Sequence, residues 1–224
     1  MNHPSPGDFI DIHNHGSGTE PGCFSVECLM AHEKREPDFQ KGIAYSSGIH
    51  PWHLEAPAFD EDLDRVRRQL THGNVIAAGE AGFDRMRGPG MELQLRAFGE
   101  QVKLSERAGK PLFIHCVRAW DHLLAAHRKM KPAQAWIIHG FRGKKELAGQ
   151  LLSRGMFVSF WFDFVLRPES AMLVKSLPAD RIFLETDGSG VGIGEIYRKV
   201  SSGMEIDIPA LKELMYNNYI SVFG

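Results

Sequence analysis

Two histidines stand one residue apart where a short apolar run, Phe9-Ile10-Asp11-Ile12, gives way to His13-Asn14-His15. Side chains of a strand alternate between its faces. Phe9, Asp11, His13 and His15 therefore share one face, and Ile10, Ile12 and Asn14 the other. Two imidazoles on one face can share a metal ion, although a His-X-His run alone also fits a solvated surface. The ends of later apolar runs carry residues of the same kind. Glu80 follows Val75 to Gly79, His115 follows Leu112-Phe113-Ile114, His139 follows Ile137-Ile138, and Asp187 follows Ile182 to Thr186. Any one of them alone is more often a hydrogen-bonded rim residue than a ligand. Together they offer four imidazoles and two carboxylates. Such a set fills two metal positions, with one carboxylate bridging and open positions left for water, which suits metal-assisted hydrolysis.

Residues so far apart in sequence need a frame that gathers strand ends. From residue 74 onward, short apolar runs alternate with amphipathic ones, the pattern of repeated strand-helix units around a parallel sheet. Strands are expected at Val75 to Gly79, Pro111 to Ile114, Ala135 to Ile138, Met156 to Phe160 and Arg181 to Leu184. Helices are expected at Met91 to Lys110, Trp120 to Lys131, Lys144 to Arg154, Glu169 to Leu177 and Pro209 to Val222. Earlier in the chain, Phe9 to Ile12, Cys23 to Leu29 and Gly42 to Ser47 read as strands, with Asp60 to Thr71 a helix behind the third. The expected class is α/β, a single (β/α)8 TIM-like barrel domain over residues 1–224, whose strand C-termini emerge at one end. The connections at 16–22 and 30–41 are shorter than the dozen or more residues of a usual βαβ crossover. Helices should thus be reduced or missing in the first quarter. No repeat, charge block or linker argues for a second domain.

Composition narrows the setting. The 43% hydrophobic and 24% charged fractions are those of a globular protein. No stretch approaches the roughly 20 apolar residues of a membrane helix. The opening Met1-Asn2-His3-Pro4-Ser5-Pro6-Gly7 has no secretory pattern, so the expected location is the cytoplasm, with no membrane partner. Cys23, Cys28 and Cys116 form an odd set without Cys-X-X-Cys spacing, which points to reduced thiols. A formal charge of −2 gives no broad basic field, so any phosphate binding must be local.

Six stretches carry a family likeness. They are Asp11-Ile12-His13-Asn14-His15, Gly48-Ile49-His50-Pro51, Gly79-Glu80-Ala81-Gly82-Phe83-Asp84, Phe113-Ile114-His115-Cys116, His139-Gly140-Phe141 and Leu184-Glu185-Thr186-Asp187. In this order they resemble the TatD-type metal-dependent deoxyribonucleases of the amidohydrolase-like barrels, and Asn217-Asn218-Tyr219 to Phe223-Gly224 is similar to that family's ending. The resemblance implies that His13 and His15 hold one metal with Asp187 beside them, and that Glu80 bridges to a second held by His115 and His139. It implies two divalent metal ions (Zn, Mn or Mg), a nucleophilic water activated by them, and Asp187 as acceptor of its proton. The implied substrate is a phosphodiester, either DNA ends or short oligonucleotides, with no obligate protein partner.

Other positions have two readings. His50 and His53 could donate hydrogen bonds to a phosphate or be ordinary surface histidines in a Pro-containing turn, and Arg118 could clamp a phosphate oxygen or be a solvated helix-start arginine. Asp11 and Glu185 could orient a ligand histidine, with Asp84 doing similar work beside Glu80, or be buried polar residues satisfied by backbone. Trp52, Phe141, Trp161 and Phe162 could stack on a base or pack in the core and rim. The chain departs from the family in three places. The segment between His15 and Gly48 is short, His115-Cys116-Val117-Arg118 replaces the more usual His-X-Arg, and Gly188 to Gly194 stands where Ala-Pro-Tyr is usual. That last stretch reads as a phosphate cradle or a bare loop. Alternatives are hydrolysis of an amide, lactone or ester, or a metal-bound interaction protein with little turnover.

Overall fold

The structure, a computed structural model, describes residues 3–16, 20–161 and 167–224. Eight strands form one sheet whose neighbours follow sequence order. They are β1 (Phe9–Asn14), β2 (Cys23–Met30), β3 (Ile43–Gly48), β4 (Val75–Asp84), β5 (Leu112–Val117), β6 (Trp136–Ile138), β7 (Phe157–Phe160) and β8 (Ile182–Leu184). The described helices are α1 (Phe59–Gln69), α2 (Met91–Ala108), α3 (Trp120–Met130), α4 (Lys145–Leu152), α5 (Pro168–Ser176), α6 (Ile193–Met204) and α7 (Ile208–Phe223). The recorded pairings are parallel, and the fold is a (β/α)8 TIM-like barrel. Among the described residues no helix separates β1 from β2, and only a 3₁₀ turn, Ala31–Glu33, separates β2 from β3. The first quarter is thus short of helices, as its short connections require.

The chain divides into two compact units, one chiefly of residues 28–39 and 45–138, the other of 2–27, 40–44 and 139–224. In the first, all ten residues of β4 are buried. A parallel strand covered on both faces favours apolar or small residues, so apart from Glu80 and Asp84 this segment is apolar or small and shows no alternation. Phe98 of α2 packs its ring on Phe83 of β4 and on Trp136 of β6, with centroids 4.6 and 5.2 Å apart. Gly109, with φ of 63°, ends α2 in the left-handed conformation that glycine adopts without a Cβ clash.

In the second unit, Tyr197 of α6 is fully buried against β1, where its hydroxyl receives the Ile10 N–H at 3.0 Å and donates to the Ile10 carbonyl at 3.2 Å. Asn218 of α7 spends both amide hydrogens on backbone, donating to the Ala179 and Ile182 carbonyls at 2.8 and 2.9 Å. The Asp207 side chain caps α7 by accepting the Ala210 N–H, and Pro209 occupies its first turn.

Two elements differ from the sequence reading. Strand β4 does not stop at Gly79 but runs to Asp84, so Glu80 lies within it, and β5 likewise continues past His115. Gly79 and Gly82 are sites of close backbone approach: a Cβ on Gly82 would lie 1.9 Å from the His115 carbonyl oxygen. The other difference is α6, which begins within the Gly188 to Gly194 stretch read as a phosphate cradle or a bare loop. Ile193, Ile196, Tyr197 and Val200 are spaced to form one buried helical face.

Candidate metal centres

Two groups of donors assemble, one in each unit. In the first unit, Glu80 and Asp84 sit on β4 and His115 on β5, paired in register with Gly82. The missing side chain of Gly82 lets the His115 backbone approach β4 closely. The His115 imidazole reaches both carboxylates, its Nδ1 3.0 Å from Glu80 Oε1 and its Nε2 3.1 Å from Asp84 Oδ2. His50, placed by the 3₁₀ turn Pro51–His53, brings its Nε2 to 3.1 Å from the same Glu80 oxygen. Glu80 is 1%, His50 3% and His115 7% exposed, so the three meet away from bulk water.

Hydrogen bonding separates the two imidazoles. Asp84 is an acceptor and faces His115 Nε2, so the proton of a neutral ring belongs there and Nδ1 keeps its lone pair toward Glu80. His50 has the opposite arrangement. Its Nδ1 accepts the Trp52 N–H at 3.1 Å, which leaves Nε2 as the protonated nitrogen. The chemistry of the donor set therefore makes His115 Nδ1 and the Glu80 carboxylate suitable for a cation, and His50 suitable as a hydrogen-bond donor. Burial raises the Asp84 pKa, but bonds from Trp52 Nε1 and His115 and the backbone N–H of Met86 outweigh it, holding the carboxyl below its usual range.

In the second unit, His13 and His15 of the β1 end meet Asp187, which follows β8. Asp187 Oδ1 lies 3.2 Å from His15 Nε2 and 3.8 Å from His13 Nε2. The two rings stand at 90° with centroids 5.0 Å apart, and a His139 ring centroid lies 4.6 Å from His13. His139 Nδ1 is 3.5 Å from Glu185 Oε1, which also receives the Gly140 N–H at 2.6 Å, while Ser159 donates to Glu185 Oε2. Each of His13, His15 and Asp187 offers a ligand atom, and these atoms lie within 4.8 Å of one another, as do those of His50, Glu80 and His115.

Asp11 fits the second of its two sequence readings, a buried polar residue satisfied in part by backbone. It accepts the Thr186 N–H at 2.9 Å and hydroxyl at 2.6 Å, tying β1 to the residue before Asp187. Burial pushes its carboxyl up to about 7 against the pull of those Thr186 bonds. Asp187 itself has φ of 51° and donates its N–H to the His13 carbonyl at 3.0 Å.

The remaining candidates are placed as follows. His50 is buried, so the surface reading of that histidine fails. His53 is half-buried and stacks on His32, with centroids 3.9 Å apart, and burial followed by repulsion from His32 and Arg87 lowers its pKa. Arg118 is exposed, with Nη1 3.5 Å from Met86 Sδ. Phe141 is fully buried in the core, Trp161 lies under the Arg142 guanidinium, and Phe162 is outside the described residues. Trp52, 38% exposed, donates its indole N–H to Asp84 at 2.6 Å. Sequence reasoning missed that link and the Ser159 bond to Glu185. The only sequence signal for the first was the proximity of Trp52 to His50.

Comparison with known proteins points one way. The sequence model described as TatD related DNase matches residues 19–189. A protein of Cronobacter turicensis named 3'-5' ssDNA/RNA exonuclease TatD is 33% identical over 151 residues, covering 65% of this chain and 57% of its own length. An uncharacterized metal-dependent hydrolase of Escherichia coli K12, YcfH, is 30% identical over 149 residues, covering 65% of this chain and 55% of its own. The matched part thus spans little more than half the length of these curated relatives. Among solved structures, a TatD family hydrolase from Entamoeba histolytica superposes with a TM-score of 0.78 at 16% identity, covering 100% of this chain and 99% of its own. The TatD homologue YJJV of Escherichia coli K12 gives 0.78 at 18% identity, covering 98% and 99%. At such identities the likeness is one of fold.

Proposed function

Because the chain belongs to the TatD related DNase family, we propose that it is a metal-dependent phosphodiesterase acting on DNA ends or short oligonucleotides. The observation that carries this reading is the pair of His and carboxylate clusters, each with ligand atoms within 4.8 Å of one another. In this reading His13, His15 and Asp187 hold one divalent cation, His115 Nδ1 and Glu80 hold a second, and His139 adds a donor beside His13. Mixed imidazole and carboxylate donors suit zinc, manganese or, with added waters, magnesium. Bound divalent cations would supply Lewis-acid polarisation of the phosphoryl oxygens and lower the pKa of water to near neutrality.

The chain's own residues do the rest. Asp187, whose carboxylate is 19% exposed beside His15, accepts the proton of the attacking water. Asp84 holds the His115 ring in the tautomer that keeps its Nδ1 free of a proton, and Glu185 Oε1 lies 3.5 Å from His139 Nδ1. His50 would donate from Nε2 and His53 would bind the scissile phosphate, while Arg118, exposed past the end of β5, would clamp a phosphate oxygen farther along the substrate. The burial of Glu80 and His115 excludes competing water and strengthens each charge interaction there.

We read residues 1–224 as one domain, supported by fold relatives that match it over nearly their whole length. Cys23, Cys28 and Cys116 as thiols rather than disulfides support a cytoplasmic setting, and no described helix is long and apolar enough to cross a membrane. The test is metal analysis of the purified chain, followed by assays on single-stranded DNA, double-stranded DNA, p-nitrophenyl phosphodiesters and simple esters with Zn²⁺, Mn²⁺ and Mg²⁺. Release of mononucleotides is expected. Ester or amide turnover without nucleotide release, or bound metal with no turnover, overturns the reading.

A further inference from the structure

Trp52 stands beside the Glu80 cluster, its ring centroid 4.9 Å from His50 and 5.4 Å from His115. Its indole N–H is fixed on Asp84, yet 38% of the residue remains exposed. The Arg87 guanidinium lies over that ring, 4.0 Å from its centroid. The loop that presents Arg87 is itself held. Asp84 Oδ1 accepts the Met86 and Arg87 N–H groups at 2.7 and 3.0 Å, and a Cβ on Gly88 would lie 2.4 Å from the Pro51 carbonyl oxygen. A stacked guanidinium uses its flat face and keeps its in-plane N–H donors available, already oriented for a bidentate acceptor.

Charge completes the picture. Arg85, on the same loop, is neutralised by Asp121 at 2.6 Å, but among the described residues neither Arg87 nor Arg118 has a carboxylate partner. Arg118 reaches only the thioether of Met86, a weak acceptor that an anionic oxygen readily replaces. Two exposed guanidinium forks thus flank Met86 on the loops leaving β4 and β5, the strands that bear Glu80 and His115, in a chain whose net charge is −2.

We propose that Arg87, stacked on Trp52, forms with Arg118 a subsite for a second, uncleaved backbone phosphate of a single-stranded oligonucleotide, whose neighbouring base lies against the exposed part of the indole. Aromatic stacking tolerates any base and makes a strand a better ligand than a free phosphate. This subsite rests on the phosphodiesterase reading and adds to it a reason for preferring an oligomer.

The test uses the full chain as purified and a fluorescently labelled, phosphorothioate-linked dT10, with affinity followed by anisotropy over a range of salt. Arg87→Ala is expected to weaken binding about tenfold and to reduce the slope of log affinity against log salt by about 0.7, the share of one phosphate contact on a single strand. Arg87→Lys restores the slope but not the affinity, since a lysine lacks the fork. Arg96→Ala removes another exposed stacked guanidinium, over Phe59, and binds like the parent. Equal losses in the Arg87→Ala and Arg96→Ala variants, or displacement of dT10 by inorganic phosphate at matched phosphate concentration, overturn the subsite. If the parent cleaves unmodified dT10 while Arg87→Ala binds unchanged, only the subsite fails. If the parent neither binds nor cleaves dT10, the phosphodiesterase reading fails as well.

Discussion

Replacing Asp84 by Asn tests the link between hydrogen bonding and metal affinity with the smallest change of shape. Asp84 accepts four bonds, two from the Met86 and Arg87 N–H groups to Oδ1 and two from Trp52 Nε1 and His115 Nε2 to Oδ2. An amide has only one carbonyl oxygen. If it stays with the two backbone donors, the NH₂ group faces the indole N–H and His115 Nε2. The His115 ring then relieves the donor-donor clash by moving its proton to Nδ1, the nitrogen that faces Glu80 at 3.0 Å. A protonated Nδ1 cannot ligate. Loss of such an outer carboxylate costs 10- to 100-fold in metal affinity, or about 1.4 to 2.8 kcal/mol. Chelator competition with Zn²⁺ measures the affinity, and long-range ¹H–¹⁵N correlation spectra of the imidazoles report which ring nitrogen carries the proton. Affinity within twofold of the parent, with the ring proton still on Nε2, refutes the tautomer argument.

Three further outcomes are expected. Asp187→Asn removes most hydrolysis while leaving the circular dichroism spectrum and melting temperature near those of the parent when both are measured in EDTA, and a near-normal rate rejects Asp187 as the proton acceptor. Gly82→Ala puts a Cβ 1.9 Å from the His115 carbonyl oxygen at a φ of 152°, so stability in urea should fall by about 3 kcal/mol; a loss below about 1 kcal/mol would show that β4 and β5 do not approach so closely there. Each cation held at 100 times its dissociation constant contributes about 2.7 kcal/mol of linkage stabilisation, which EDTA removes. For a chain of this length that lowers the melting temperature by about 5–10 °C, and an unchanged melt argues against cation binding.

How much of this was legible depends on the distance over which each signal acts. His13 and His15 could be read together because strand alternation relates two positions in one segment, and both lie near Asp187. The fold was legible because buried parallel strands and amphipathic helices differ in period. What one segment could not reveal was the partner each imidazole faces. His50 looked like a histidine in an ordinary Pro-containing turn, and only the packing of that turn buries it against Glu80. The strand reading stopped at Gly79, whereas β4 runs on to Asp84, because a glycine at a close backbone approach and one at a strand's end leave the same mark in a sequence.

The same distinction assigns different work to two neighbouring histidines. His50 and His115 meet one oxygen of Glu80 at 3.1 and 3.0 Å, so distance alone makes them equivalent ligands. Their far nitrogens break the tie. A backbone N–H donates to His50 Nδ1, whereas a carboxylate accepts from His115 Nε2, and the first arrangement suits a proton donor while the second suits a ligand. Both far-side contacts run through one short piece of chain, since Trp52 supplies its backbone N–H to His50 and its indole N–H to the carboxylate that holds His115. Trp52→Phe should therefore loosen the Asp84 contact and leave the His50 bond intact, because the backbone N–H that makes it is unchanged.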